Sequence, residues 1–270
     1  MSTQRTRIAR AGLAAVTALL AIPSANATVS LFQLIKFGVY TQSSDLQPST
    51  ATEYAAYEQV VSNPGDFTSA TFAGAGSSIP LSDSSGTFSA TQLFGTQAAL
   101  DAAVPNGTAF TFSLAGGSYD GQTASLTTFT SDQYPASVPY LTGTTFDSLQ
   151  NVNAANPIDL TFNSEANGMA VIIGTGTTAV YTDFSLPTSA TSLVLPANTL
   201  QPGTTYLLQI FSFASSVSTG FTPAATGLMQ QGDSTGITFT TAPVPLPAAA
   251  WLLLSGLGGL GILGRRRPVA

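Results

Sequence analysis

The sequence predicts a mainly β protein, built from antiparallel β-sandwich units with few short helices and an apolar segment at each end. Three observations support this prediction. Phe, Tyr, Val, Leu and Ile recur in short alternating runs along the chain, which is the period of a strand with one buried face. Gly, Asn-Gly and Asp-Gly steps separate these runs, as turns do. Only 7% of the residues are charged, against roughly 25% in typical soluble proteins.

The first 27 residues have the pattern of a secretory signal peptide. Three arginines lie within the first ten residues, and an apolar run of 12 residues follows at 11–22. Ala25-Asn26-Ala27 then supplies the small-x-small pattern of a cleavage site. We therefore expect cleavage after Ala27 and export of the rest of the chain.

The body of the chain is acidic and has very few kinds of reactive side chain. All 13 acidic residues lie between Thr28 and Pro243, where Lys36 is the only basic residue, so the body carries a net charge of −12. Such a surface repels phosphate backbones, which argues against nucleic-acid binding. The chain has no Cys and no His, which excludes disulfides, thiolate zinc sites and His-dependent catalytic triads.

We divide the body near residue 138. The first unit, 28–138, is predicted to be β-rich, with a topology that the sequence does not specify. The alternating runs Ala109–Leu114 and Thr123–Phe129, separated by turn residues, predict a hairpin. Two short helices are predicted, one at Thr50–Val61, where Tyr and Val side chains share one helical face, and one at Gln97–Ala103.

The second unit, 139–242, gives the clearer strand pattern. Its turn residues recur about every ten positions, which is typical of an antiparallel sandwich. The six strand candidates are Ile158–Phe162, Met169–Thr175, Ala179–Phe184, Ser192–Leu195, Tyr206–Phe213 and Gly236–Thr241.

The segment Leu200-Gln201-Pro202-Gly203-Thr204-Thr205-Tyr206 resembles the tyrosine corner of fibronectin type III and immunoglobulin-like sandwiches. In those domains a Tyr near the start of a strand hydrogen-bonds back across the preceding turn. The resemblance implies that Leu200, Pro202, Gly203 and Tyr206 are structural residues, and that 139–242 folds as a sandwich of this kind.

The last segment, 243–270, has the pattern of a membrane signal. Pro245-Leu246-Pro247 precedes 17 uncharged residues, 248–264, and Arg265, Arg266 and Arg267 follow immediately. A helix of this length reaches roughly 25 Å, close to the thickness of a hydrocarbon core. Because arginines stay on the cytoplasmic side, we expect a transmembrane helix at 248–264 with the body outside.

This order of features resembles the PEP-CTERM sorting signal of exported Gram-negative bacterial proteins. Leu246 stands where that signal has Glu. The resemblance implies an exosortase, a membrane cysteine protease, as a partner, with transient membrane anchoring before release to the cell surface or extracellular matrix. It also implies a structural or adhesive role associated with exopolysaccharide or biofilm. An ordinary tail anchor is the alternative interpretation, although it does not require the Pro-x-Pro junction.

No catalytic, cofactor-binding or metal-binding residues are predicted, and no cofactor is expected. Glu53 and Glu58 are interpreted as solvated charges on the first predicted helix. Most aspartates stand beside Gly, Ser or Pro, where turns are expected: Asp83, Asp101, Asp120, Asp132, Asp147, Asp159, Asp183 and Asp233.

Three function classes therefore remain: a structural or adhesive surface protein, a polysaccharide-binding module, and a hydrolase that uses two carboxylates. The first is preferred. The body lacks Trp but has eight tyrosines, so a gathering of tyrosines and acidic residues in one patch would favour the second class.

Overall fold

The computed structural model describes residues 29–163, 168–176 and 178–244. Several predicted features lie outside the described residues: the signal peptide with Ala25 and Ala27, the sorting motif Pro245-Leu246-Pro247, the helix at 248–264, and Arg265, Arg266 and Arg267. Within the described ranges, no helix combines the length and the apolar character needed to cross a membrane.

The described residues form a mainly β structure with two short α-helices and one 3-10 turn at Gly117–Tyr119. The strands are β1 (Val29–Thr41), β2 (Glu53–Ser62), β3 (Ser69–Gly74), β4 (Ser77–Ser84), β5 (Thr87–Phe94), β6 (Ala109–Ala115), β7 (Thr123–Thr127), β8 (Ile158–Thr161), β9 (Gly168–Thr175), β10 (Thr178–Leu186), β11 (Ser192–Leu195), β12 (Thr205–Gly220) and β13 (Ala225–Thr240). The helices are α1 (Gln97–Ala103) and α2 (Thr145–Leu149).

Eleven of these strands form one sheet, in the order β10-β9-β12-β13-β1-β2-β5-β4-β3-β6-β7, and β11 and β8 form a second sheet. The central pair, β1 and β13, is parallel, with Leu31 opposite Thr226 and Thr41 opposite Gly236. This parallel pair differs from the predicted fold, in which all strands pair antiparallel. This pair joins strands from the predicted units 28–138 and 139–242 in one sheet, while the boundary between those units stays a prediction.

The large sheet folds over on itself around a first apolar core. The edge strand β7 contacts β12 and β13. Near that contact the ring of Phe32 on β1 meets Phe112 and Phe221 at centroid distances of 5.7 and 5.2 Å. The Gln122 side chain exchanges two hydrogen bonds with the Thr222 backbone, at 2.9 and 2.8 Å. The strands on either side of this core therefore form the two layers of a β-sandwich.

A second core lies between the large sheet and the small one. Ile158 and Leu160 on β8 pack with Val171 on β9, Ile210 on β12 and Ile237 on β13, all of them buried. Alternation explains the arrangement, because alternate residues of each strand point to the same face, and those that face this core are apolar. The β-sandwich character predicted for the chain is thus present in the described residues.

The predicted helix at Thr50–Val61 is wrong, because these residues include most of strand β2. The strand is paired on both edges, with β1 and with β5. The spacing of Tyr54, Tyr57 and Val61 fits a helical face, but Tyr and Val also favour strands. Pairing with β1 and β5 makes this segment a strand, because the intrinsic conformational preference of ten residues is weak.

The other local predictions agree with the structure. Helix α1 occupies Gln97–Ala103, and the Thr96 hydroxyl caps it by accepting from the Ala99 N–H at 3.2 Å. The predicted hairpin is the antiparallel pair β6–β7. The six strand candidates of 139–242 correspond to β8 through β13, but β12 and β13 are 16 residues each, well beyond the predicted limits.

Candidate functional site

A group of polar side chains lies on the face of the large sheet where β1 and β13 meet. Lys36 on β1 stands directly opposite Gln231 on β13, and both are fully buried. Two residues further along, Gly38 stands opposite Asp233. We call this group the tyrosine–carboxylate cluster, and its members are Lys36, Tyr40, Tyr54, Asp101, Asn106, Asp132, Tyr134, Gln231 and Asp233.

Lys36 forms the floor of the cluster. Its ammonium donates to Asp101 Oδ1 and to the Val104 carbonyl oxygen, both at 2.9 Å. The Asp101 side chain is 31% exposed, whereas that of Lys36 is inaccessible. A buried charge is tolerated only when it is paired and hydrogen-bonded. The single basic residue of the body is therefore neutralised by the carboxylate on α1.

Asp132 forms part of the exposed rim. Its Oδ1 accepts from Asn106 Nδ2 at 2.8 Å and from Gln231 Nε2 at 3.2 Å. The Asn106 hydrogen bond lowers the pKa of Asp132 most strongly. Burial opposes this shift, and the Gln231 hydrogen bond and the charge of Lys36 act in the same direction as Asn106. Asp132 is therefore ionised at neutral pH, and it presents a negative charge at the surface.

Three half-buried tyrosines complete the cluster. Burial, followed by the charges of Asp101, Asp233 and Asp132, raises the pKa of Tyr134 far above its ordinary value, although the nearby Gln231 side chain opposes this shift. Burial, Asp233 and Tyr54 raise the pKa of Tyr40 in the same way. Both phenols consequently stay protonated at physiological pH, and each keeps an O–H that can donate a hydrogen bond.

Gly38 makes room for the carboxylate at the centre of the cluster. A Cβ at Gly38 would collide with Asp233 Oδ1 and would lie 3.1 Å from a ring carbon of Tyr40. The missing side chain lets Asp233 extend over β1 towards the tyrosines. The glycine therefore contributes to the cluster by close approach, with no requirement for an unusual backbone conformation.

Three buried polar atoms of the cluster have no hydrogen-bond partner among the described residues. They are Gln231 Oε1, Asn106 Oδ1 and the Tyr134 hydroxyl. A buried polar atom without a partner costs about 1–3 kcal/mol, and such atoms are rare in folded proteins. Two of the three are acceptors, so the cluster has unused capacity to accept hydrogen bonds.

The turn interpretation of the aspartates is correct for Asp83 and Asp120, which hydrogen-bond to turn residues. It is wrong for five others, which lie in helices or strands: Asp101, Asp147, Asp159, Asp183 and Asp233. Asp83 Oδ1 accepts from the Gly86 N–H at 3.0 Å, and Asp120 Oδ1 accepts from the Gly116 N–H at 2.7 Å. Asp233 instead lies within β13 and is 5% exposed. A Gly-Asp-Ser step predicts a turn locally, but the long pairing of β13 with both neighbours keeps it extended.

Glu58 was also misplaced by the helix prediction. It lies on β2, is fully buried, and accepts a hydrogen bond from Gln92 Nε2 at 2.8 Å. Burial raises its pKa to about 7, and the Gln92 hydrogen bond opposes that shift. The interpretation of Glu58 as a solvated charge is therefore wrong. Its burial depends on the pairing of β2 with β1 and β5, which the local sequence does not indicate.

The residues of the predicted tyrosine corner lie together at the start of β12, with Tyr206 inside the strand. The Tyr206 hydroxyl accepts from the Gln201 N–H at 2.7 Å, and Tyr206 and Leu200 are both buried. Gly203 has a φ of 65°, which glycine adopts without strain. The Pro202 carbonyl accepts from the Thr204 hydroxyl at 3.2 Å.

Within the described ranges, no group of three or more His, Cys, Asp or Glu residues is placed to hold a metal ion. The tyrosine–carboxylate cluster is therefore the candidate site. Sequence reasoning missed it because its members come from β1, β2, α1, the segments after α1 and β7, and β13. The only signal in the sequence was the isolated Lys36, since a single lysine among 13 acidic residues requires a partner when it is buried.

Comparisons with known proteins found no matching family model and no matching curated protein. Among solved structures, the BSP domain of a biofilm-associated protein is similar at a TM-score of 0.23 and 16% identity, over 81% of this chain and 30% of that one. The chain thus spans less than a third of that structure.

Two further structures are similar at the same level. The FN1–FN3 domains of chicken CNTN1 match at a TM-score of 0.22 and 10% identity, over 66% of this chain and 62% of that one. A 1.5-MDa bacterial ice-binding adhesin matches at a TM-score of 0.23 and 14% identity, over 81% of this chain and 67% of that one. At such low TM-scores and identities, none of these similarities establishes a function.

Proposed function

We propose that this is an exported protein of the cell surface or extracellular matrix, with a structural or adhesive role and no catalytic activity. The observation that carries the proposal is the order of signals in the sequence, with a cleavable pattern ending at Ala27 and a Pro-x-Pro, apolar and arginine-rich pattern at 245–267. Between them lies an acidic body that folds mainly as β structure. A membrane-bound intermediate with the body outside and the arginines inside follows from this order.

The proposed route involves two processing steps and two partners. A signal peptidase removes 1–27, and the helix at 248–264 then holds the chain in the inner membrane. An exosortase-type protease cuts at the Pro-x-Pro junction, where Leu246 replaces the Glu of the resembled motif, and releases the body. The acidic surface keeps the released protein soluble and away from nucleic acid.

Intact-mass analysis of the membrane and secreted fractions tests this proposal. The expected secreted species begins at Thr28 and ends near the junction, and the expected membrane species retains the C-terminal segment. A protein found only in the cytoplasm, with Arg5 and Arg267 both retained, would contradict the proposal.

Polysaccharide binding is a second candidate function, and the tyrosine–carboxylate cluster favours it. Aromatic faces beside a few hydrogen-bonding groups are the usual composition of a small-molecule site. The cluster has three half-buried tyrosines, exposed Asp132, and amide oxygens without partners. Such a gathering of acidic residues and tyrosines favours a binding module over a purely structural protein.

A glycan hydrolase fits the same geometry less well. Such an enzyme needs a carboxyl group of raised pKa opposite a second carboxylate. The pKa of Asp132 is lowered. Glu58, whose pKa is raised, is hydrogen-bonded to Gln92 and shares no hydrogen bond with the cluster. An assay of glycan turnover beside each binding measurement separates the two functions, since binding without turnover is the expected result.

A further inference from the structure

We propose that the tyrosine–carboxylate cluster binds the ammonium group of an amino sugar, so that the ligand is a glycan with free, non-acetylated amines. This inference rests on the polysaccharide-binding function proposed above and specifies its ligand. Four features of the cluster support it: its charge balance, its unused acceptors, its aromatic rings and the exposed Asp132 at its rim.

The charge balance of the cluster is negative. Asp101, Asp132 and Asp233 contribute three carboxylates against the single ammonium of Lys36, which is already paired with Asp101. No other basic residue exists between Thr28 and Pro243 to offset the remainder. A site of this sign favours a cationic group and repels a polymer of uronic acids.

The unused hydrogen-bonding capacity points to the same group, independently of the charge. Gln231 is fully buried, and its amide nitrogen donates to Asp132, so its Oε1 lies inside the cluster. That oxygen and Asn106 Oδ1 both lack a partner among the described residues. An ammonium has three donors and no acceptor, and therefore satisfies such atoms. The carbonyl oxygen of an acetylated amine would instead add another acceptor.

The tyrosines supply the apolar part of the site. An ammonium near the face of an aromatic ring is favoured by the ring quadrupole. Tyr40 lies near Asp233, Tyr134 lies near all three carboxylates, and Tyr54 lies beside Tyr40. Tyr134 lies on the segment 128–140, which contains neither helix nor strand.

A divalent cation fits the cluster less well than an ammonium. Calcium takes six to eight oxygen ligands at one centre. In the described part of the chain, however, no three acidic side chains converge in this way. Lys36 adds a positive charge at the floor of the cluster. An ammonium needs only two or three acceptors and tolerates this arrangement.

The test is a titration of the purified full chain in detergent micelles, followed by calorimetry. The probes are oligosaccharides of glucosamine, the N-acetylated oligosaccharides of the same length, and an oligouronate, each with and without calcium. We expect binding of the free-amine oligosaccharide, and at least tenfold weaker binding of the N-acetylated and uronate probes, since one lost charge-assisted hydrogen bond corresponds to about a factor of ten.

Two matched variants locate the binding. Asp132→Asn keeps the size of an exposed side chain and should weaken free-amine binding about tenfold. Asp159→Asn changes another exposed aspartate, on β8, and should leave the affinity unchanged. Thermal unfolding of both variants checks that each folds as the parent does.

The possible outcomes distinguish the ammonium inference from the polysaccharide-binding function on which it rests. Equal affinity for the free-amine and N-acetylated probes, reduced by Asp132→Asn, overturns the ammonium inference and supports polysaccharide binding. Free-amine binding that Asp132→Asn does not weaken overturns the assignment to this cluster. Calcium-dependent binding of the oligouronate alone overturns the ammonium inference, and binding of none of the probes overturns both proposals.

Discussion

Glu58 is a carboxylic acid in a fully buried position on β2. Its Oε1 accepts from Gln92, its Oε2 has no partner among the described residues, and burial raises its pKa from the ordinary 4.5 to about 7. The folded protein therefore holds this proton more tightly than the unfolded chain does. The stabilising contribution is complete below pH 4.5 and is lost as the pH rises through about 7.

Replacing Glu58 by Gln should remove this pH dependence. The full shift corresponds to roughly 3 kcal/mol at alkaline pH. We expect a gain of about 2 kcal/mol at pH 8, because one amide group stays without a partner. Urea unfolding at pH 5 and pH 8 measures it, with Glu53→Gln, on the same strand but less buried, as the control. A Glu58→Gln variant whose stability still falls between pH 5 and pH 8 would show that another group titrates.

Tyr206 gives a second prediction at the scale of one atom. Tyr206→Phe removes only the hydroxyl that accepts from the Gln201 N–H, and the buried ring remains against Phe239 at a centroid distance of 5.7 Å. The free energy of unfolding should fall by on the order of 1 kcal/mol. Chemical denaturation measures this loss, with Tyr181→Phe as a partly exposed control. A loss near zero would mean that the corner hydrogen bond does not stabilise the fold.

At the scale of elements, the long β12–β13 hairpin depends on a close approach at Gly232. A Cβ at this position would collide with the Ser212 carbonyl oxygen and would lie 2.7 Å from Phe213 Cα. Both atoms belong to the backbone of β12, which cannot move away without losing hydrogen bonds to β13.

Gly232→Ala should therefore destabilise the protein by about 2 kcal/mol or more. Gly95→Ala is the matched control, because a Cβ there meets no atom within 4 Å, and its effect should be small. Thermal or urea unfolding of the two variants gives the comparison. Equal stabilities would mean that β12 and β13 separate easily at Gly232.

The elements also show which parts of the fold can be predicted from sequence. Helix α1 and the β6–β7 hairpin were predicted, because a cap, a turn and an alternating run determine each of them locally. Strand β2 was mistaken for a helix, because two neighbouring strands hold it extended. The candidate site could not be predicted, since Lys36 and Gln231 meet only through a pairing of strands almost two hundred residues apart.

At the scale of the whole molecule, the contrast between the acidic body and the arginines at the C-terminus determines the membrane topology that we expect. Each arginine at the C-terminus costs about 2.5–3.5 kcal/mol to place at the centre of a bilayer, so three of them form a strong barrier to translocation. Changing Arg265, Arg266 and Arg267 to Ser should release the chain from the membrane or prevent its processing.

Cell fractionation and the mass of the secreted species measure this effect. Changing the same three residues to Lys preserves the charge and serves as the control for topology. If the Ser variant is retained and cleaved like the parent, the arginines do not act as a stop signal.

The parallel pairing of β1 with β13 has a consequence for the order in which the protein acquires its structure. The last strand of the described chain occupies the middle of the large sheet, between β1 and β12. Until β13 is present, one long edge of β1 has no partner. The strands β12, β9 and β10 are then not joined to the other strands of the large sheet. Contacts between such distant segments form late, because the chain entropy of closing a long loop must be overcome first. If the chain is exported as proposed above, it therefore stays incompletely folded until β13 has emerged, and that strand completes the sheet from an interior position.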